Sequence, residues 1–370
     1  MHRRAFFCRQ ALATCAHVSR SEGATCAYLR LSGGGAQRRY SSNPLLGEGT
    51  ESPEALPICI VGVPLDENSS FMRGNAEAPP KIREKFHCPS SNCWSELGVE
   101  VKPPLIRDVG DLTLGSVDEG AMKTIEHSVA HLLVNGSLPC PSSSTSLPSA
   151  KRKSEVVDED EDVDTKEAKR DPAMFHKVVS LGGDHSISFP LVSAVSKKYN
   201  GNLSLVLIDA HADMYADFEG NYYSHASPFA RILEKGLVRR MVSLGMRTLP
   251  LHHRQQMERY GVECVEMKDF YSWKNRRDED KLKKLLSFEE PVYVSVDIDG
   301  IDPAFAPGVS HQEPGGFSTR EVIDLIHQIQ GNIVAADIVE YNPKRDVAGG
   351  MTGMLCAKLL REIAGKMSLL

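Results

Sequence analysis

Seven carboxylate and imidazole side chains stand at or just after the ends of short apolar runs in this sequence. They are His185, Asp209, His211, Asp213, Asp297, Asp299 and Glu340. Ionised aspartates gathered in one cleft repel one another strongly unless cations neutralise them, because burial of unpaired charge is costly. Oxygen and imidazole ligands without a thiolate favour Mn²⁺, with Fe²⁺, Co²⁺ and Zn²⁺ as alternatives. We therefore predict that the first six residues hold two divalent cations.

The spacing of these residues supports a shared site. Asp209, His211 and Asp213 lie two residues apart, and so do Asp297 and Asp299. In an extended chain such side chains project from one face. Two metal ions about 3.5–4 Å apart lower the pKa of a water molecule between them and so produce hydroxide near neutral pH. The pattern therefore indicates hydrolysis by a metal-bridging hydroxide.

The apolar runs are typical of parallel strands buried on both faces, because they are nearly all apolar rather than alternating. They span residues 58–63, 105–109, 177–181, 203–208, 241–244, 291–296 and 333–338. Helical stretches separate them, for example residues 186–199, 226–235, 251–260, 319–330 and 352–369. This alternation predicts an α/β fold, a three-layer sandwich with a central parallel sheet. In such sheets ligands bind at the carboxyl ends of the strands, where the seven side chains are expected.

Three segments resemble the signatures of the ureohydrolase family, which contains the arginases and the agmatinases. They are residues 182–186 (GGDHS), 209–213 (DAHAD) and 295–303 (SVDIDGIDP). The resemblance extends over about residues 58–368. It implies an arginase-like fold with a parallel sheet of about eight strands and a pair of Mn²⁺ ions. The family's metal ligands fall on His185, Asp209, His211, Asp213, Asp297 and Asp299, with none missing.

Further stretches are most similar to the plant-type arginases, which are organellar enzymes. They are residues 62–65 (GVPL), 68–71 (NSSF), 78–84 (APPKIRE), 223–227 (YSHAS) and 302–316 (DPAFAPGVSHQEPGG). The resemblance implies that Glu340 orients a guanidinium group and that His225 carries a proton to the leaving amine. A carboxylate suits the first role because its hydrogen bonds to guanidinium are charge-assisted and directional. Histidine suits the second role because its pKa lies near neutrality.

The substrate is less sharply defined than the reaction. Arginine and agmatine share a guanidinium on a similar chain, and arginine adds an α-carboxylate. Tyr215 follows the second motif, which departs from the animal-type arginases, where an asparagine reads the amino-acid head. We predict conversion of arginine to ornithine and urea, with agmatine (giving putrescine) or another guanidino acid as alternative substrates. Candidate contacts to the substrate are Asn68, Asp217, Asn221 and His311.

Two other classes of protein remain as hypotheses. A metal-binding regulator that has lost catalysis would tend to lack one of the site residues, yet the ligand set, Glu340 and His225 are complete. A deacetylase-like hydrolase on a related fold uses a single zinc ion and a different ligand spacing. The residues therefore favour a hydrolase with two metal ions.

The predicted catalytic domain spans residues 56–370, and it is preceded by one distinct stretch and interrupted by another. Residues 1–45 contain seven arginines, no lysine and one acidic residue, which is typical of a mitochondrial or plastid transit peptide. Residues 137–172 are rich in serine and proline and then in acidic residues, which predicts a disordered insertion. We expect a mitochondrial protein, with a plastid or cytoplasmic location as the alternatives.

The composition argues against several functions. The 370 residues carry a formal net charge of −6, which disfavours a nucleic-acid partner. No apolar run reaches the roughly 18 residues that a membrane span requires. The cysteines form no C-x-x-C pair, which argues against a thiolate zinc site. The expected partners are a small guanidino substrate and, from the family resemblance, further copies of the chain in a homotrimer or homohexamer.

Overall fold

A parallel sheet of eight strands forms the centre of this protein. The computed structural model describes residues 56–139, 175–276 and 279–369, which belong to one compact unit. The strands are β1 (Ile58–Val63), β2 (Ile106–Asp111), β3 (Val178–Gly182), β4 (Ser204–Ile208), β5 (Arg240–Met246), β6 (Glu263–Glu266), β7 (Val292–Asp297) and β8 (Ile333–Val339). Their order across the sheet is β2-β1-β3-β8-β7-β4-β5-β6, and neighbouring strands run parallel.

Helices cover both faces of the sheet. They are α1 (Ala78–Phe86), α2 (Glu119–Asn135), α3 (Ser188–Lys198), α4 (Pro228–Glu234), α5 (Leu251–Tyr260), α6 (Met267–Arg276), α7 (Glu279–Leu285), α8 (Thr319–Gln328) and α9 (Met351–Met367). Ile60 packs in an apolar cluster with α1, α8 and α9, whereas the next residue, Val61, packs in a second cluster with α2, α3 and α4. Successive strand residues therefore enter opposite cores, which confirms the predicted three-layer sandwich.

Four central strands end side by side. Across β3, β8, β7 and β4 the residues Leu181, Ile338, Val296 and Ile208 pair in one row. The order of the strands in the sheet departs from their order in the chain at this point, because β8 and β7 lie between β3 and β4. A crevice at such a switch point is the usual binding position of a parallel sheet. The predicted metal ligands and Glu340 lie in the short segments that follow this row.

The edge strand β6 was not among the predicted apolar runs. Its sequence is ECVE, in which only Val265 is buried. An edge strand packs fewer apolar neighbours than a central one, so it carries a weaker hydrophobic signal.

The predicted transit peptide at residues 1–45 lies outside the described residues, and so does the predicted insertion from residue 140 onward. Across the part of the chain that the structure describes, no helix is long and apolar enough to cross a membrane.

Candidate metal centre and active site

Three strand ends share one local design, in which an aspartate carboxylate accepts a hydrogen bond from the backbone N–H two residues later. The donor and acceptor pairs are Ser186 to Asp184 at 3.0 Å, His211 to Asp209 at 2.6 Å and Asp299 to Asp297 at 2.7 Å. Aspartate is favoured in such turns because its short side chain reaches that N–H. The side chains therefore converge through turns. The prediction that they project from one face of an extended chain does not describe how they meet.

His185 lies at the centre of a first ligand group. Its Nδ1 atom is 3.3 Å from Asp209 Oδ2, 3.1 Å from Asp213 Oδ2 and 3.0 Å from Asp297 Oδ2. The ligand atoms of these four residues lie within 4.8 Å of one another. Asp213 takes part from a left-handed backbone conformation, with φ of 47°. One nitrogen and three carboxylate oxygens thus meet in one small volume, a donor set that suits a divalent transition-metal ion.

A second ligand group adjoins the first. His211 Nδ1 lies 3.1 Å from Asp299 Oδ2 and 3.7 Å from Asp209 Oδ1. Asp209 therefore directs Oδ2 to the first group and Oδ1 to the second. A carboxylate shared in this way fits two neighbouring cations, and the two groups together contain all six predicted ligands.

Burial makes this cluster unfavourable without cations. His185 Nδ1 and Asp209 Oδ2 are buried and have no hydrogen-bond partner among the described residues. Burial, together with the charges of Asp213 and Asp299, raises the pKa of Asp209 to about 8. Burial, followed by the charges of Asp299 and Asp209, also raises the pKa of Asp297. Bound cations would relieve both penalties, so the residues present fit a binuclear metal centre.

The other ring nitrogen of His185 is held by residues of β7 and β8. Nε2 lies 3.0 Å from Ser295 Oγ, and Ser295 donates to Asp337 Oδ1 at 2.7 Å. Tyr293 and Ser188 donate to Asp337 Oδ2 at 2.7 and 2.8 Å. Because Ser295 gives its proton to the carboxylate, Nε2 of His185 must carry the proton of the ring. That tautomer leaves the Nδ1 lone pair free for a metal ion.

Replacing Ser295 by alanine is expected to lower metal affinity about 10- to 100-fold, the usual effect of removing a partner that orients a ligand. Competition for the metal ion with a chelating dye measures this change in affinity. The matched control is Ser243→Ala, since Ser243 is a buried serine of β5 whose hydroxyl has no partner among the described residues. Equal metal affinity in the two variants would contradict the orienting role of Ser295.

Glu340 lies directly beyond β8 with both carboxylate oxygens engaged. Oε1 accepts from the backbone N–H of His185 at 2.9 Å and lies 2.9 Å from His225 Nδ1, while Oε2 accepts from Asn75 Nδ2 at 2.8 Å. The residue has a φ of 63°, which is uncommon outside glycine, so these contacts must hold it in place. Oε2 keeps one acceptor position, whereas a bidentate contact with guanidinium requires His225 to leave Oε1.

His225 is buried between Glu340 and the loop after β1. Its Nε2 lies 2.9 Å from Ser70 Oγ. Burial, the largest single cause, lowers its pKa, but the charge and hydrogen bond of Glu340, together with the charges of Asp184 and Asp213, outweigh burial and raise the pKa of His225 to about 9. The imidazole of the metal-free protein is therefore protonated at neutral pH.

The titration of His225 provides a test in the metal-free protein. Its pKa is raised above the ordinary 6.5, so the ion pair with Glu340 stabilises the fold below pH about 6.5 and ceases to do so as the pH rises through about 9. We expect the His225 ring signals in an NMR titration to shift near pH 9. His311 is the internal reference, because burial and then the charge of His225 lower its pKa. A midpoint for His225 at or below 6.5 would contradict the pairing.

A cavity of about 210 Å³ opens beside the ligand groups. It is lined by Ser70, His211, Asp213, Tyr215, Phe218, His225, Ala226, Thr248, Pro250, His253 and His311. The ring centroid of His311 lies 5.4 Å from that of His225 and 6.1 Å from that of His211. The structure therefore brings this predicted substrate contact to the predicted metal ligands and proton carrier.

The other three predicted substrate contacts do not line this cavity. Asn221 Nδ2 donates to Asn68 Oδ1 at 3.1 Å, and Asn68 Nδ2 donates to Ser186 Oγ at 3.1 Å. The two asparagines thus join the loops that flank the site. Asp217 is exposed, and its Oδ1 accepts from the backbone N–H of Gly220 at 3.2 Å. Its carboxylate stabilises a surface turn, and it is not among the residues that line the cavity.

The sequence analysis did not identify Asn75. It also did not identify the hydrogen bonds that link His185 through Ser295 to Asp337. One signal was present for Asp337, which is a charged residue inside an otherwise apolar run. A charge in a strand buried on both faces needs several partners, and such partners often support a site. Asn75 follows no strand, and only the folded chain brings it to Glu340.

Comparison with known proteins gives matches along most of the chain. The profile of the Arginase family matches residues 56–365. Arginase 1, mitochondrial, of Oryza sativa subsp. indica is 42% identical over 319 residues, which cover 84% of this chain and 81% of that protein. Arginase 2, chloroplastic/mitochondrial, of Arabidopsis thaliana is 42% identical over 318 residues, covering 84% and 80%. The solved structure of arginase from Medicago truncatula superposes with a TM-score of 0.69 at 39% identity, covering 85% of this chain and 88% of that one.

Proposed function

Since this chain belongs to the Arginase family, we propose that it hydrolyses arginine to ornithine and urea at the site described above. The observation that carries this proposal is the position of the Glu340–His225 pair beside two ligand groups that share Asp209. Such a site combines a place for a cationic substrate with a place for divalent cations. Family members act on small guanidino substrates, which fits both features.

We propose Mn²⁺ as the metal, because the donors are carboxylates and imidazoles without a thiolate. His185, Asp209, Asp213 and Asp297 would hold one ion, and Asp209, His211 and Asp299 would hold the other. When bound, two such ions supply the nucleophile by lowering the pKa of water. Asp337 and Ser295 keep His185 in the tautomer that this binding requires.

Glu340 orients the guanidinium in this proposal. Its Oε2 retains an acceptor position, and a charge-assisted hydrogen bond there would hold the cation beside the ligand groups. This single hydrogen bond positions the cation, and a bidentate contact, which would also limit its rotation, forms when His225 leaves Oε1. Asn75 and the backbone of His185 keep the carboxylate in place.

His225 supplies the proton in this proposal. The reaction must expel an amine, and an amine leaves readily only when it is protonated. His225 is protonated at neutral pH in the metal-free protein and lines the cavity that would receive the substrate. Ser70 holds its second ring nitrogen, which fixes the ring plane.

We also propose a mitochondrial location and a homotrimeric or homohexameric assembly. The relatives from Oryza sativa and Arabidopsis thaliana carry mitochondrial names, and residues 1–45 have the composition of a transit peptide. Light scattering of the purified protein tests the assembly, and imaging of a fluorescent fusion tests the location.

Urea release decides the reaction and the substrate together. The full chain is incubated with Mn²⁺ and then assayed with arginine, agmatine and short guanidino acids. We expect the highest kcat/KM with arginine. Agmatine as the preferred substrate would replace arginine in the proposal, and no urea from any of these compounds would overturn the hydrolase function itself.

A further inference from the structure

His253 is a buried polar residue that the proposed mechanism does not use. It lies in the first turn of α5 and lines the same cavity as His211 and Asp213. Its side chain is only 3% exposed. The ring of Tyr215 packs edge-on against it, with centroids 4.4 Å apart, and the ring of His252 lies at 4.2 Å. The imidazole is therefore fixed by aromatic contacts, which leave its polar atoms free.

Neither ring nitrogen of His253 has a hydrogen-bond partner among the described residues. Buried polar atoms of folded proteins nearly always have a partner, and each exception calls for an explanation. Burial, followed by the nearby His252, lowers the pKa of His253 to about 4, so the ring is neutral at physiological pH. A neutral imidazole offers one N–H donor and one acceptor. An unpaired donor at the wall of a substrate cavity is positioned to serve a ligand.

The chemistry of the cavity wall narrows the choice of ligand group. Among the described residues that line the cavity there is no lysine or arginine. The protonated imidazole of His225 already pairs with Glu340, so a carboxylate bound near Thr248 and His253 would meet neutral donors. Thr248, on the segment between β5 and α5, and His253, in the first turn of α5, both line this cavity. The metal ligands His211 and Asp213 belong to the segment after β4, so the cavity joins the reaction centre to a neutral polar wall.

We propose that His253 determines substrate specificity by donating its ring N–H to the α-carboxylate of the amino-acid head. The inference rests on the proposed function, because it concerns the head of the guanidino substrate whose other end meets the metal centre. Arginine would satisfy the unpaired donor, whereas agmatine lacks a carboxylate and would leave it unpaired. A site built around a buried donor rejects an analogue without the matching acceptor.

The first test separates recognition of the head from catalysis. Ornithine and putrescine differ by the carboxylate, and neither contains a guanidinium. We measure their binding to the Mn²⁺-loaded full chain by calorimetry, with His253→Phe as the variant and His252→Phe as the matched control. His252 is the exposed neighbour and lies outside the cavity wall. Phenylalanine keeps the ring against Tyr215 and removes both unpaired nitrogens, so the fold should persist, which thermal unfolding checks.

We expect His253→Phe to weaken ornithine binding about tenfold, the effect of one lost hydrogen bond, and to change putrescine binding by less than about twofold. His253→Gln, which retains an N–H donor, should restore part of the preference for ornithine. In steady state, His253→Phe should raise KM for arginine with kcat little changed. Equal losses for ornithine and putrescine, no loss at all, or no ornithine binding by the unmodified chain would overturn the inference. The absence of urea production from arginine by the unmodified chain would instead overturn the proposed reaction.

Discussion

Replacing Asp209 by asparagine is expected to remove both metal ions and to abolish urea production. Asp209 is shared by the two ligand groups, so its charge contributes to each. Loss of one partner from a buried charge cluster costs about 4 kcal/mol, or about a thousandfold in metal affinity. Asparagine still accepts the N–H of His211, so the turn itself should survive. Elemental analysis after dialysis gives the metal content per chain, and a urea assay gives the activity.

Two matched substitutions sharpen this result. Asp213 belongs only to the first ligand group, so Asp213→Asn should lose one ion and retain the other. Asp184 follows β3 in the same kind of turn but belongs to neither group, so Asp184→Asn should retain both. If Asp209→Asn retained as much metal as Asp184→Asn, the shared position of Asp209 would be refuted.

Replacing Glu340 by glutamine is expected to leave the metal content intact and to lower kcat/KM for arginine at least a hundredfold. The carboxylate lies outside both ligand groups, and its charge is what the proposed mechanism uses to hold the guanidinium. Loss of a charge-assisted hydrogen bond costs about 3 kcal/mol, which corresponds to roughly a hundredfold in rate. The same change removes the charge that raises the pKa of His225.

Metal analysis, steady-state kinetics and the His225 titration are measured together on Glu340→Gln. We expect the metal content of the unmodified chain, a large loss of kcat/KM and a His225 midpoint well below 9. Asn75→Ala is the companion variant, because it removes one donor to Glu340 and keeps the charge. It should lose less activity and leave the His225 midpoint nearly unchanged. Full turnover by Glu340→Gln would exclude its role in substrate binding.

The sequence was sufficient to predict the sheet, apart from the edge strand β6, and the groups at its carboxyl edge. Strands such as β1 and β4 are buried on both faces, so their apolar runs are continuous and easily recognised. Parallel strands bring their carboxyl ends to one edge, so residues as distant as His185 and Asp297 were expected to meet. The ligand groups follow from these two facts.

Several features of the site were not predicted from the sequence. They depend on contacts between segments that have no regular hydrophobic pattern. The turns at Asp209 and Asp297 and the left-handed conformation of Asp213 determine how the ligands approach one another, and period-two alternation contains no information about them. Asp217 was selected for its charge and its position after a motif, yet it stabilises a surface turn. His253 lies on an otherwise ordinary polar helix, and only tertiary packing shows that it lacks a partner.

The hydrogen-bonded pair of Glu340 and His225 has a thermodynamic consequence for turnover. One carboxylate attracts two cations in the proposed mechanism, the guanidinium that enters and the proton that His225 already carries. Binding of the guanidinium weakens the affinity of His225 for its proton, and protonation of His225 weakens binding of the guanidinium. By linkage, the two effects are equal in free energy. Arrival of the substrate therefore makes His225 a stronger acid at the moment when the leaving amine requires its proton. Conversely, departure of the amine as a protonated product leaves a neutral imidazole, which favours binding of the next cationic substrate until the ring is recharged.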